Sequence, residues 1–436
     1  MNFKTLLLGS AAAMVVAGGA HAADLTVAEP VDYVKVCDAF GKGFYYSPGT
    51  DTCIKVGGYV KFGTSVGDTD FTNYNSTYPD SNWSNFYTEV SIQLTASSVT
   101  EFGNLTGFLE MRAQTGNTGG FNTSLTQAVN ATTKSAYMQT AYLSLGPVKA
   151  GYFDSLFDFG QGYNDTGGFS SDTKTDQIML NYTVNGFGLA LAVEDQRDRG
   201  SAGNLGGLTA STAVTYGYDS GTGQYYPILK TTYAEGGSDN IPNVIGAISY
   251  ASGIVSAKLA AAYTDIALDR TGTGTASNPY VFSAQQGWAV GGSIELALDA
   301  FSAGDKFQIY GAYGDNANSF TGIAGGTSVA GLSSYTSQAN AAMAQGTSWS
   351  AFASYKHVFT PAVYMAATAS YAEYDGDGYY RGGDALQAWR GVLGAGWTPV
   401  KGLDVLAEGS YNSVTGEGSI KDGDAWSGVL WLKRSW

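Results

Sequence analysis

Histidine, cysteine and positive charge are all scarce in these 436 residues, and each shortage removes a class of function. There are two histidines, His21 and His357. Hydrolytic triads use histidine as general base. His21 falls in a segment expected to be cleaved off. His357 reads as a strand residue on an apolar-facing register with Trp349 and Tyr355. No base stands where a substrate would sit, so an enzyme is not expected and no catalytic residue is assigned. The only cysteines are Cys37 and Cys53, with neither a second pair nor a nearby histidine to complete a zinc site. Lys and Arg number 22 against 37 Asp and Glu, a formal charge of −15. Nucleic acid requires basic surface and is not an expected partner. Beyond the first 20 residues no run approaches the roughly eighteen apolar residues of a spanning helix. Asp375-Gly376-Asp377-Gly378 begins like a calcium loop, but Leu386 stands where the acidic ligand belongs. No metal or cofactor is expected.

What the chain has in quantity is glycine and aromatic residues: 60 Gly, 30 Tyr, 20 Phe and 8 Trp, with only 9 Pro. Tyr and Trp suit the interfacial girdles of a membrane barrel, and Gly suits its turns and small inward positions. Alternation is clearest from Asn85 to Ser97. There Asn85, Tyr87, Glu89, Ser91 and Gln93 interleave with Phe86, Thr88, Val90, Ile92 and Leu94. One face is wet and the other lipid-compatible. The same rhythm predicts strands over Val56–Val66, Leu105–Gln114, Ser135–Leu145 and Val148–Phe153. A hairpin through Asn185-Gly186 follows. Further strands are expected over Val244–Ala251, Val255–Thr264, Trp288–Leu298, Lys306–Tyr313, Trp349–Phe359, Ala362–Tyr374, Ala388–Trp397 and Leu403–Asn412. The last begins near Ala425 and ends on Trp436.

Short turns alternate with long loops, among them Asp154–Asp176, Asp195–Asn240 and Asp315–Gly346. The fold expected is all-β: a transmembrane antiparallel barrel of sixteen strands. Closure satisfies every backbone group inside a bilayer. Sixteen strands leave an aqueous channel, whereas eight would fill with side chains.

The amino terminus reads as a signal peptide over residues 1–22, with Lys4, an apolar stretch from Leu6 to Ala20, and Ala20-His21-Ala22 as cleavage pattern. Residues 23–55 form an N-terminal segment on the periplasmic side, and 56–436 the barrel. An exported chain with one cysteine pair is expected to join Cys37 to Cys53, at a gain on the order of 3 kcal/mol by chain entropy.

From Val34 to Lys61 the chain reads Val-Lys-Val-Cys37-Asp-Ala-Phe-Gly-Lys-Gly-Phe-Tyr-Tyr-Ser-Pro-Gly-Thr-Asp-Thr-Cys53-Ile-Lys-Val-Gly-Gly-Tyr-Val-Lys61. This closely resembles the amino-terminal motif of the alphaproteobacterial general porins, the Brucella and rhizobial outer-membrane family. Ala141 to Ser155 resembles the porin strand pair that precedes the constriction loop, and the aromatic closing strand is shared by porins generally. Trp436 departs from the Phe on which such porins more often end. The resemblance implies a homotrimer in the bacterial outer membrane that passes small hydrophilic solutes, with a constriction loop folded into the lumen. Its partners are then outer-membrane lipid, lipopolysaccharide and the barrel-assembly machinery. A substrate-specific channel or a surface adhesin is the alternative reading, since long outer loops permit both.

A diffusion pore needs a narrow charged section rather than a reactive group. The insertion after the fifth strand carries Asp154, Asp158, Asp165, Asp172 and Asp176 against Lys174 alone. Alternation places Lys61, Arg112, Lys149, Lys258 and Arg390 on inward faces. Acidic loop and basic wall are expected to oppose each other across the pore, and the net acidity to favour cations mildly.

Overall fold

The computed structural model describes residues 36–71, 83–115, 135–199, 209–237, 241–323, 345–377, 383–418 and 422–436. The expected signal peptide, residues 1–22, lies outside them. The chain divides into two units, Met1–Cys53 and Ile54–Trp436. In the first, Cys37 and Cys53 are both buried and form a disulfide with Cα atoms 6.0 Å apart. The Cys37 N–H donates to Phe44 O at 3.0 Å, and the Ser47 N–H to Thr52 O at 2.8 Å, on either side of the short strand β1 (Tyr45–Tyr46).

The second unit is almost all strand. Along the chain run β2 (Cys53–Phe71), β3 (Trp83–Thr100), β4 (Gly103–Thr115), β5 (Ser135–Leu145), β6 (Val148–Asp154), β7 (Lys174–Val184) and β8 (Phe187–Glu194). Then come β9 (Thr209–Asp219), β10 (Gln224–Gly237), β11 (Asn243–Ser252), β12 (Val255–Thr271), β13 (Tyr280–Ala297) and β14 (Lys306–Asp315). The last five are β15 (Thr347–Thr360), β16 (Val363–Asp375), β17 (Ala385–Val400), β18 (Leu403–Glu417) and β19 (Gly423–Ser435).

Sixteen of these strands, β2–β8 and β11–β19, form the barrel wall, each antiparallel to the next where the register is described. Closure is made by β19 on β2, from Gly423 opposite Phe71 to Ser435 opposite Tyr59. The terminal Trp436 N–H donates to Gly58 O at 3.2 Å. The Asn185-Gly186 hairpin forms as expected, with both residues at positive φ (49° and 82°), the backbone of a two-residue turn matched to strand twist.

Residues 195–240, expected as one loop, carry structure of their own. Strand β8 pairs directly with β11, so β9 and β10 stand outside the wall as a separate hairpin. Its foot, Ala234–Gly237, runs parallel to Tyr280–Ser283 of β13. Val214, Tyr216, Tyr218, Tyr225, Ile228 and Leu229 supply the strand preference that overrides a loop assignment.

The period-2 alternation decides the faces of the wall. Phe86, Ile92, Leu189 and Leu393 point outward and are exposed, while Glu89, Ser91, Gln177 and Thr368 point inward and are buried. In a soluble protein the reverse holds. Two aromatic rows edge the outer face. Trp349, Tyr371 and Trp389 pack in a row near the long-loop end, with centroids 4.9 and 4.5 Å apart. Phe187 and Tyr250, 4.7 Å apart, stand at the tight-turn end, as does Trp397. Trp389 and Trp397 lie about 26 Å apart along β17, or roughly 20 Å of membrane at the usual strand tilt of about 40°. Inside the barrel, Leu156, Phe157 and Phe159 join Ala192, Ile245, Ala260, Ala262, Ala289, Tyr310 and Phe352 in a closed apolar cluster.

Candidate pore constriction

That cluster exists because residues 155–173, between β6 and β7, fold inward along the wall. The loop starts at a charged root. Glu194, at the end of β8, accepts from Ser155 Oγ at 2.8 Å and from the Leu156 N–H at 2.9 Å. Asp158 accepts from Ser171 Oγ and, at 2.9 Å, from the Thr173 N–H. Arg199, fully buried, reaches both carboxylates, with N···O distances of 3.7 Å to Glu194 and 3.8 Å to Asp158. Burial pushes the Asp158 carboxyl up to about 6, against the downward pull of Arg199, Ser171 and Thr173.

Aromatic side chains carry the middle of the loop. Phe157 meets Phe159 edge-on at 5.3 Å, and Phe159 sits 5.4 Å from Tyr310, which stacks on Phe352 at 5.0 Å. Gly162 holds φ at 92°, and a Cβ there would lie 2.8 Å from Ser354, so the backbone hugs the wall as only glycine allows. The Phe169 N–H donates to Ser370 Oγ at 2.7 Å.

At the tip, Glu408 of β18 accepts the Asp165 N–H at 2.9 Å, the Thr166 N–H at 2.6 Å and Asn164 Nδ2 at 3.2 Å. Trp431 of β19 donates its indole N–H to Asp165 Oδ2 at 2.9 Å. Tyr163 donates to Glu295 at 2.9 Å, and burial together with that bond pushes its phenol up.

The five basic residues all stand on inward registers, but in different settings. Lys258 donates to Asp158 O at 2.8 Å, and Arg390 to Gly167 O at 2.9 Å with its guanidinium 4.4 Å from the Phe169 ring. Both therefore fasten the loop. Lys61 pairs with Glu89 at 3.1 Å and Arg112 with Glu110 at 2.7 Å, on the wall of β2–β4. Lys149 lies against the rings of Tyr142 and Phe153, at 4.0 and 3.8 Å.

The five acids divide more sharply. Asp158 is the buried root, while Asp165 and Asp172 are exposed on the loop. Asp154 and Asp176 do not belong to the loop. They are strand residues sharing the outward register of Ile178 and Leu180, and Asp154 pairs with Lys174 opposite it. The expectation for these two is corrected, because β6 and β7 each extend further than the local polarity suggests.

Sequence reasoning missed Glu194, Arg199, Glu408 and Trp431. A signal was available in the alternation itself. Inward positions of β8 and β11–β14 include Ala192, Ile245, Ala260, Ala262, Ala289 and Ala312, more apolar than a wall facing water requires.

A family model described as the porin subfamily matches residues 24–429. The chain belongs to the porin subfamily. This porin is 34% identical over 276 residues to porin Omp2b of Brucella abortus, which covers 61% of this chain and 67% of that relative. It is 35% identical over 222 residues to the putative outer membrane protein y4fJ of Sinorhizobium fredii, covering 50% and 61% respectively. Among solved structures it is similar to the outer membrane channel DcaP of Acinetobacter baumannii (TM-score 0.56, 14% identity, 90% of this chain and 99% of that one). Pseudomonas putida OprB gives a TM-score of 0.50 at 10% identity, over 87% and 94%. These two likenesses concern the fold alone. The porin thus resides in the outer membrane and forms a water-filled channel for passive diffusion of small hydrophilic solutes and ions.

Proposed function

We propose that residues 155–173 set the narrowest section of a general-diffusion pore. One observation carries this reading: the loop covers the apolar stretch of the inner wall, while the wall of β2–β4 carries a charged ladder of Lys61, Glu89, Glu110 and Arg112 that the loop aromatics do not cover. Solute passes between that ladder and the loop edge at Asp165, with Asp172 adding charge on the loop. Lys149 lines the same lumen. Lys258, Arg390 and Asp158 act by fixing the loop. Because the ladder is neutralised in pairs, the unpaired acids of the loop tilt selectivity mildly toward cations.

A general pore has no saturable site. Liposome swelling with sugars of graded size should give a smooth decline of rate with size. Saturation would identify a substrate-specific channel, and absence of swelling an adhesin. Reversal potentials in a salt gradient read the charge balance directly, and an anion preference would refute the loop-acid account.

The family resemblance supports a homotrimer, delivered by a signal peptide over 1–22 and inserted by the barrel-assembly machinery. Residues 23–55 then stand on the periplasmic side. Outer-membrane lipid and lipopolysaccharide cover the outward band between the aromatic rows.

A further inference from the structure

Arg199 belongs neither to the wall nor to the inward loop, yet it is completely buried where three outer segments meet. Its Nη1 donates to Ser171 Oγ at 3.1 Å and to Ser319 O at 3.4 Å. Its Nη2 donates to Ser155 Oγ, and its guanidinium lies 3.9 Å from the Phe320 ring. Ser155 and Ser171 are on the inward loop, Arg199 ends the turn Gln196–Arg199 after β8, and Phe320 is in the turn Asn318–Thr321 after β14. We propose that Arg199 is a positioning residue for the pore: it holds the root of the inward loop together at neutral pH by compensating the nearly buried Asp158 carboxylate.

A buried carboxylate without a cation is strongly unfavourable and protonates instead. The charged groups facing Asp158 are Arg199 from the turn, Lys258 from β12, Asp172 from the loop and Glu194 from β8 by way of Arg199, with the Tyr310 phenol from β14 close by. Of the groups that pull the Asp158 carboxyl down, the Arg199 charge acts most strongly. The sign of the linkage follows. The packed carboxyl titrates at about 6 and the released one at 3.8, so the packed root binds more protons between those values. Acid therefore tightens the root. Stability from Asp158 is complete below 3.8 and lost as pH rises through about 6.

Amide hydrogen exchange on the full-length porin tests this at Leu156 and Thr173, whose N–H groups bond Glu194 and Asp158. Their protection factors, normalised for intrinsic exchange, should rise about tenfold from pH 7 to pH 5, near one proton's worth over part of that interval. Asp158→Asn, which mimics the protonated form, should flatten that rise. Arg199→Met should move it to higher pH and weaken protection at neutral pH, and Arg199→Lys should partly restore it. A root that is merely packed by Arg199 would lose protection without moving the pH profile. Retention of the rise in Asp158→Asn, or an unshifted midpoint in Arg199→Met, overturns the proposal. Should Arg199→Met fail to insert, Asp158→Asn alone decides it.

The inference rests on the pore reading above, and the two fail differently. Protection factors report the anchor whether or not the loop limits flux. Single-channel conductance reports the limit: the open-state current of Arg199→Met should fluctuate more than wild type at neutral pH. Normal protection changes with a steady, unaltered current would remove the loop as constriction and leave the anchor standing.

Discussion

Two stretches of the inner wall obey opposite rules. Across β8 and β11–β14 the inward side chains beneath Phe157 and Phe159 include Ala192, Ile245, Ala260, Ala262 and Ala289, with Glu194, Lys258 and Gln308 bonded to the loop itself. From β2 through β4 they are Tyr59, Lys61, Glu89, Glu110 and Arg112, held by charge-assisted bonds such as Tyr59 OH to Glu89 at 2.6 Å. Both stretches have the same strand geometry and the same outward apolar face. The difference is what lies over them. A wall under protein behaves as a domain core, and a wall under water behaves as a surface. The size and polarity of inward residues therefore mark where the loop lies and where solute passes.

Placing a charge in the dry stretch gives the largest expected effect. Ala262 is buried beneath the loop aromatics, and Ala262→Asp puts a carboxylate there with no cation supplied. Expelling the loop or failing to assemble are the outcomes, at a cost of several kcal/mol. Heat-modified mobility on gels measures assembly, and single-channel current measures the pore. Wild-type behaviour in both would mean that the stretch is wet.

The tip of the loop tests the boundary between the two stretches. Glu408 takes two backbone N–H groups and the Asn164 amide, with no Lys or Arg in ion-pair contact among the described residues. Glu408→Ala leaves Asp165 and Thr166 without that acceptor, worth about 2–4 kcal/mol of local stability at roughly 1–2 kcal/mol per group. A rise in conductance is expected, smaller than the effect of Ala262→Asp. Unchanged conductance would mean that Trp431, Tyr163 and Ser370 hold the tip unaided.

These differences explain how far the sequence alone could be read. The strands and their faces follow from alternation, and the Asn185-Gly186 turn from its own backbone preference. The N-terminal disulfide follows from an exported chain with one cysteine pair. Arg199 and Glu408 escape this kind of reading. Each acts on residues distant in sequence, and nothing local distinguishes a buried anchoring charge from a solvated one. Asp154 and Asp176 mislead for a related reason. Outward carboxylates at the rim of a barrel look like loop residues until the register sets their face. The Ala-rich inward positions of β12 were legible, but small residues also suit a lumen, and only the loop aromatics decide between the two.

The smallest expected effect on stability comes from the wet stretch, and it is the most informative about transport. Arg112 is partly exposed and its partner Glu110 is nearly buried. Arg112→Glu removes the cation beside Glu110, so heat stability should fall, but by less than for Ala262→Asp or Glu408→Ala, because the new carboxylate can turn toward the aqueous lumen. It replaces a compensated pair with two adjacent carboxylates facing the loop edge at Asp165, so the reversal potential in a salt gradient should move further toward cations. Salt screens charges beyond about 10 Å at 0.1 M, so the shift should grow as ionic strength falls. A large loss of stability would place Arg112 in the dry class instead. An unshifted reversal potential would take β2–β4 out of the conducting section and leave the comparison without its wet side.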